Sequence, residues 1–103
     1  MRGIRVIIKH PGQKPYVTNV SDSLGNLQSH VDGYIETVTL ASDCVIICNE
    51  EGRLRGLPYN CRVCGVDFVG TILFAGVNGD EFDDLPISFK DFKAMFPDLW
   101  KED

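Results

Sequence analysis

The chain has 103 residues, of which 44% are hydrophobic and 24% charged, and a formal net charge of -5. This length and composition are typical of one globular domain, over residues 1–103, that can bury its own core. The acidic balance argues against nucleic acid as a partner, because a phosphate backbone is bound by clustered lysine and arginine.

The first two elements predicted along the chain are strands. Residues 4–9 alternate, so Ile4, Val6 and Ile8 share one face of a strand. Residues 10–15 hold two prolines around a glycine, a composition typical of a loop. Residues 16–20 then form a second strand, and an antiparallel hairpin is the simplest pairing of the two.

A short helix is expected next. Residues 21–23 offer serine and aspartate side chains for its N-cap. Leu24, Leu27 and Val31 follow at helical spacing, and Gly33 is expected to end the helix in the left-handed conformation.

The middle of the chain is rich in strand signals. Further strands are predicted at residues 34–40, 44–48 and 66–77, and residues 53–57 are a candidate for a short additional strand that the predicted order does not count. Residues 44–48 are continuously apolar, which indicates a central strand buried on both faces. Gly70 and Gly76 mark bends or close approaches in the last strand. Asn78 and Gly79 predict a tight turn into a short edge piece.

A second helix closes the chain. Ser88 is its predicted N-cap, with Asp91 three residues on. An apolar stripe should face the sheet, formed by Phe89, Phe92, Met95 and Phe96. Pro97 should stop this helix.

The predicted order is therefore β-β-α-β-β-β-α. Short connections between strands favour antiparallel neighbours, so we expect an α+β fold. One mixed or antiparallel sheet of about five strands should carry two helices, chiefly on one face.

The four cysteines raise the question of a metal. Cys61 and Cys64 form a C-x-x-C pair, and four thiolates could hold zinc. Cys44 and Cys48 lie in a predicted strand, however, where a spacing of four residues separates them by roughly 13 Å. We therefore expect no metal ligands, and a zinc-stabilised interaction module is the weakest of three functional alternatives.

Catalytic motifs are not found. The serines occupy capping, helix or turn positions, there is no phosphate-binding or dinucleotide-binding glycine motif, and His10 and His30 are far apart in sequence. We expect no enzyme, no cofactor and no catalytic residue.

The chain between Asn49 and Thr71 is the segment best suited to bind a ligand. Arginine forks recognise phosphate or carboxylate, and tyrosine can stack on a base or sugar. The expected ligand-binding residues are Asn49, Arg53, Arg55, Tyr59, Asn60, Arg62 and Thr71. The competing interpretation is that Arg53 and Arg55 point to solvent from an edge strand and that Asn60 caps a turn.

Several motifs in this region carry a resemblance: G-Y-I-E at 33–36, N-E-E-G at 49–52, L-P-Y-N at 57–60 and D-F-V-G-T at 67–71, with an arginine at 62. They resemble a family of small domains of unknown function from phages, plasmids and other mobile elements and their mainly Firmicute hosts. The resemblance spans residues 4–82, and the C-terminal helix is less typical. It implies an accessory protein acting against host defences.

Two functions follow as expectations. The first is a non-enzymatic protein that sequesters a small anionic, nucleotide-derived immune signal, as a homo-oligomer. The alternative is a protein–protein inhibitor of a host defence effector, using the acidic run Asp80–Asp84 and the aromatic C-terminus. No apolar run long enough for a membrane span and no signal peptide are found, so the expected location is the host cytoplasm, without membrane or nucleic-acid partners.

Overall fold

The computed structural model describes residues 2–101, which form eight strands, two α-helices and one 3-10 helix. In chain order these are β1 (Gly3–Lys9), β2 (Tyr16–Ser21), α1 (Leu24–Val31), β3 (Ile35–Ala41), β4 (Cys44–Asn49), β5 (Tyr59–Val63), β6 (Val66–Val69), β7 (Ile72–Asn78), β8 (Glu81–Asp83), α2 (Phe89–Met95) and the 3-10 helix (Pro97–Trp100). Neither α-helix is long and apolar enough to cross a membrane, and this holds for all residues described.

The main sheet has six strands in the order β2-β1-β7-β4-β3, and β8 pairs with β7 beyond the end of the β1 pairing. Every pairing is antiparallel. The predicted α+β class is therefore confirmed, with an antiparallel sheet. Strands β5 and β6 form a separate two-stranded sheet, called here the β5–β6 ribbon.

Both faces of the main sheet are buried, because β1 and β4 are apolar on both sides. Ile4, Val6 and Ile8 lie on the face that packs against α1. Ile7 and Ile46 lie on the opposite face, which is covered by α2, the 3-10 helix and the β5–β6 ribbon. The expectation that both helices lie chiefly on one face is thus wrong: each face has its own helix.

The predicted caps are present at both helices. Ser23 and Ser88 accept hydrogen bonds from the backbone N–H groups of Asn26 and Asp91 at 3.3 and 3.1 Å. Helix α1 ends one residue earlier than expected, because Asp32 takes the left-handed conformation with a φ of 62°. Aspartate tolerates this conformation better than most residues.

Two element predictions in the middle of the chain are wrong. Residues 53–57 lie within turns rather than a strand, and the residues after Pro58 form β5 instead. The predicted strand 66–77 is divided at Gly70, whose φ of 70° turns the chain from the ribbon into the main sheet. Gly76 is a close approach, as predicted: a Cβ there would lie 2.1 Å from the Asp84 carbonyl oxygen.

The C-terminal stripe is only partly as predicted. Phe92 is buried and meets Phe74 edge to face, with ring centroids 4.7 Å apart. Met95, expected in the same stripe, is 57% exposed. The 3-10 helix that begins at Pro97 turns Leu99 back into the core.

Candidate functional site

A concave surface lies between the β5–β6 ribbon, the β1–β2 loop and the 3-10 helix, and it is called here the basic cavity. Its volume is about 840 Å³, and its polar lining includes Lys9, Lys14, Tyr59, Asn60, Arg62 and Lys101. Ligand-binding pockets in proteins typically have volumes of about 300–1,000 Å³. Of the seven predicted ligand-binding residues, Tyr59, Asn60 and Arg62 line this cavity.

The local geometry of the ribbon explains how these three residues are presented. Strand β5 turns into β6 through Cys64 and Gly65, both with positive φ, as a two-residue hairpin requires. The pairing register shifts between Tyr59 and Cys61, so Asn60 occupies a β-bulge. A bulge redirects a side chain, and Asn60 is buried while Tyr59 is 53% exposed.

Asn60 connects the ribbon to the main sheet. Its Nδ2 donates to the backbone oxygens of Lys9 and Gly70, at 2.8 and 2.6 Å. Its Oδ1 is also buried, yet it has no hydrogen-bond partner among the residues that the structure describes. A buried acceptor without a partner is unusual in a native structure, so this oxygen is the most distinctive atom of the cavity.

Positive charge is concentrated in the cavity. Four of the chain's ten lysines and arginines line it, although the whole chain has a net charge of -5. Lys9 is only 5% exposed, and its Nζ donates to the His10 carbonyl oxygen at 2.9 Å. Asp98 is the one acid among the described lining residues, and it pairs with Lys101 at 3.0 Å.

Asp67 holds the exposed side chains of β5. The Tyr59 hydroxyl donates to its carboxylate at 3.1 Å, and Arg62 Nε lies 3.9 Å from the same oxygen. Desolvation raises the pKa of Tyr59, and the hydrogen bond to Asp67 raises it further. Both contacts are solvent-exposed, so an anion entering the cavity can replace them at small cost.

A second wall of the cavity is the β1–β2 loop, which is held by His10. Its Nδ1 is hydrogen bonded to the Thr71 hydroxyl at 2.8 Å, and its Nε2 to the Tyr16 hydroxyl at 3.0 Å. Thr71, predicted to bind ligand, therefore positions the loop that carries Lys14 and does not itself line the cavity.

Asn49 and Arg55 lie elsewhere, at the C-terminus of α1. Asn49 Nδ2 donates to the carbonyl oxygens of Val31 and Asp32, at 3.0 and 3.1 Å. Arg55 donates to the Asp32 backbone oxygen and also pairs with its carboxylate at 3.1 Å. Both side chains satisfy carbonyl groups that the helix end leaves unpaired.

A smaller groove of about 170 Å³ lies between β3, β4 and β6, and it is lined in part by Arg53, Asn49 and Asp67. Arg53 Nη2 donates to the Asp67 backbone oxygen at 2.9 Å. Arg53 thus contacts the ribbon from outside the basic cavity.

Sequence reasoning missed Lys9, Lys14 and Lys101. They come from the end of β1, the β1–β2 loop and the C-terminal segment, and each of them looks like an ordinary surface lysine in the sequence. The proline-glycine loop around Lys14 was the one available signal, because loops often carry binding residues.

The cysteines do not converge on a metal site. No group of three or more His, Cys, Asp or Glu residues positioned to hold a metal ion occurs within residues 2–101. Burial raises the pKa of Cys48 and of Cys61 to about 11, and it also raises that of Cys44. These thiols are therefore protonated at neutral pH.

The acidic run invoked for protein–protein inhibition is partly engaged within the chain. Asp83 pairs with Arg2, and Asp84 accepts from the backbone N–H of Arg5 at 2.7 Å. The Asp84 backbone N–H and the Arg2 guanidinium lower the pKa of Asp83. Through these contacts the two acids connect the end of β8 to the N-terminal part of β1.

Fold and cavity together define a small α+β domain with a basic, ligand-sized cavity beneath a β-hairpin. The chain belongs to the DUF3846 family, described as a domain of unknown function, whose model matches residues 4–97. This match extends through α2, beyond the limit of residue 82 expected from the motifs. Searches of curated proteins and of solved structures found no match.

Proposed function

We propose that this protein is a non-enzymatic binding protein that sequesters a small nucleotide-derived immune signal. In this proposal the signal is anionic and occupies the basic cavity, and the protein acts for a phage or other mobile element inside its host. The mobile-element setting is drawn from the resemblance of the central motifs. The chemical part is drawn from the cavity.

One observation carries the chemical part: four cations line one ligand-sized cavity of a chain whose net charge is -5. Positive charge that is scarce in the chain as a whole and concentrated in one cavity favours an anionic ligand of limited size. A nucleic acid would instead require a basic face extending along the surface.

The groups in the cavity support binding rather than catalysis. Cys61 has a pKa of about 11, too high for a thiolate nucleophile at neutral pH. Asp98, the one described lining acid, is engaged with Lys101 and is solvent-exposed. Neither is poised as a general base.

Homo-oligomerisation is part of the proposal. Strands β2 and β3 form the edges of the main sheet, and neither has a further strand beside it in the described chain. Open edges are templates for pairing with another copy. Size-exclusion chromatography with light scattering gives the subunit number.

Calorimetric titration with pyrophosphate and with ADP tests the ligand class. Arg62→Ala should weaken binding of both by about tenfold or more, because a charge-assisted contact to phosphate is lost. Arg55→Ala is the matched control, since Arg55 caps α1 outside the cavity, and it should bind as the wild type does. Equal affinities in wild type and Arg62→Ala would contradict the proposal.

Native mass spectrometry of the protein purified from its host tests the biological part. A carried-over mass of nucleotide size, absent after denaturation, is the expected result. Material that carries no small molecule, and binds neither pyrophosphate nor ADP, would favour a protein partner instead. A pull-down from host lysate would then test the inhibitor alternative.

A further inference from the structure

The buried side chain of Asn60 points to a narrower ligand class, in an inference that rests on the proposed function. We infer that Asn60 Oδ1 accepts a hydrogen bond from a nucleobase, and that the ligand is a nucleotide whose purine base carries an exocyclic amine. The inference adds a specificity-determining contact to the electrostatic attraction of the cavity.

The orientation of the Asn60 amide is fixed by its own bonds. Both protons of Nδ2 are used, one on the Lys9 backbone oxygen at 2.8 Å and one on the Gly70 backbone oxygen at 2.6 Å. A flipped amide would place Oδ1 against two carbonyl oxygens, which repel it. Asn60 therefore offers an incoming ligand an acceptor and no donor.

That acceptor has no partner within residues 2–101. Among the residues that the structure describes, Asn60 Oδ1 is the buried side-chain oxygen or nitrogen that lacks a hydrogen bond. Leaving it unpaired costs free energy that a ligand donor would recover. A ligand that brings only phosphate oxygens cannot recover it, because those oxygens are acceptors as well.

The neighbours of Asn60 favour a base as the group that brings the donor. Tyr59 is next in the chain, lines the same cavity and is 53% exposed, so its ring offers a stacking surface. The side chain of Arg62, also on β5, is 65% exposed. Each is held by exposed contacts to Asp67. The inference therefore requires that this wall of the cavity rearranges on binding, so that the base reaches the buried oxygen.

A base stacked on Tyr59 presents its edge, and an exocyclic amine on that edge is a hydrogen-bond donor. Arg62 and Lys14 line the same cavity and meet the phosphates. Asparagine commonly reads adenine with both its donor and its acceptor. In this protein the Nδ2 donor of Asn60 is already bonded to backbone oxygens. In the inference Asn60 therefore recognises only the amine of the base, through Oδ1.

Matched nucleotide pairs test the inference by calorimetric titration of the intact wild-type protein. AMP is compared with purine riboside monophosphate, which lacks only the amine, and GMP with inosine monophosphate. In at least one pair the amine-bearing nucleotide should bind about tenfold more tightly, as expected for one buried hydrogen bond. Pyrophosphate serves as the probe for the cationic part of the cavity.

Asn60→Leu should abolish that difference, because leucine has a similar shape and no acceptor. Its circular dichroism and melting temperature report whether it folds. If it does not fold, the wild-type comparison decides alone.

Equal affinities within both pairs would overturn the inference, since Oδ1 would then meet only an ordered water, while the proposed function would stand. Failure of all four nucleotides and of pyrophosphate to bind would overturn the proposed function as well.

Discussion

Two asparagines, Asn49 and Asn60, are buried in the described chain to the same extent, each 7% exposed. They differ in the hydrogen bonding of the side-chain oxygen Oδ1. Both donate twice from Nδ2 to backbone oxygens. Asn49 Oδ1 accepts from the backbone N–H of Glu51 at 2.7 Å, whereas Asn60 Oδ1 accepts from none. The two side chains are thus equally buried, but the polar groups of Asn49 are all hydrogen bonded, whereas those of Asn60 are not.

The difference teaches how to separate scaffold from site in this domain. At Asn49, every polar group of the side chain is paired with the chain itself, so nothing remains for a ligand. At Asn60 an acceptor remains, beside a cavity lined by cations. Both segments seemed equally suited to a ligand in the sequence, because both combine asparagine with arginine.

The largest test of this comparison is the same exchange at both positions. Asn49→Leu should lower the free energy of unfolding by about 3 kcal/mol, because three hydrogen bonds are lost and a buried helix-end carbonyl loses its partner. Asn60→Leu should cost less, about 1 kcal/mol, because two hydrogen bonds are lost but the unpaired buried oxygen, which itself costs free energy, is removed with them. Denaturant titration measures both, and equal losses would contradict the distinction.

A buried thiol flanks each asparagine, and pH tests both sites together. The pKa of Cys48 and of Cys61 is about 11 in the fold, against an ordinary value of 9.0. These thiols ionise first in the unfolded chain, so their stabilising contribution is complete below pH 9 and is lost as pH rises toward 11. At pH 10 each should cost about 1.4 kcal/mol of stability relative to neutral pH.

Chemical unfolding of wild type, Cys48→Ala and Cys61→Ala between pH 8 and pH 10 checks this expectation. Each substitution should flatten the decline by a similar amount. Cys64→Ala is the control, since it removes a thiol that is exposed in the ribbon turn. A decline of the same steepness in all four proteins would show that other groups cause it.

The smallest expected effect concerns Asp67, which contacts both Arg62 and Tyr59. Asp67→Asn removes the competing charge and keeps an acceptor for Tyr59. Affinity for pyrophosphate should rise about two- to fivefold, in line with the energy of an exposed ion pair. Asp80→Asn makes the same charge change in the exposed turn before β8, so a similar rise there would mean that only net charge matters.

The sequence predicted the fold class and most of the main sheet, because these depend on local periodicity. Alternation along β1 and the apolar run of β4 require strands whatever surrounds them. The ribbon was missed because its boundaries depend on Gly70. A glycine at this position is compatible either with a bend within one long strand or with a turn that divides it into two strands. Which helix covers which face was missed too, since both faces of β1 and β4 are apolar and periodicity does not choose between them.

For the site, the sequence by itself determined that Tyr59, Asn60 and Arg62 lie near one another, since they lie within four residues of the chain. Only the tertiary structure decided that Lys9, Lys14 and Lys101 join them, because residues from both ends of the chain meet there through sheet pairing and the turn at Pro97. The tertiary structure also decided that Oδ1 of Asn49 is hydrogen bonded and that Oδ1 of Asn60 is not. Whether a buried acceptor is paired depends on which backbone groups lie within about 3 Å of it, and that distance is set by packing across the whole fold.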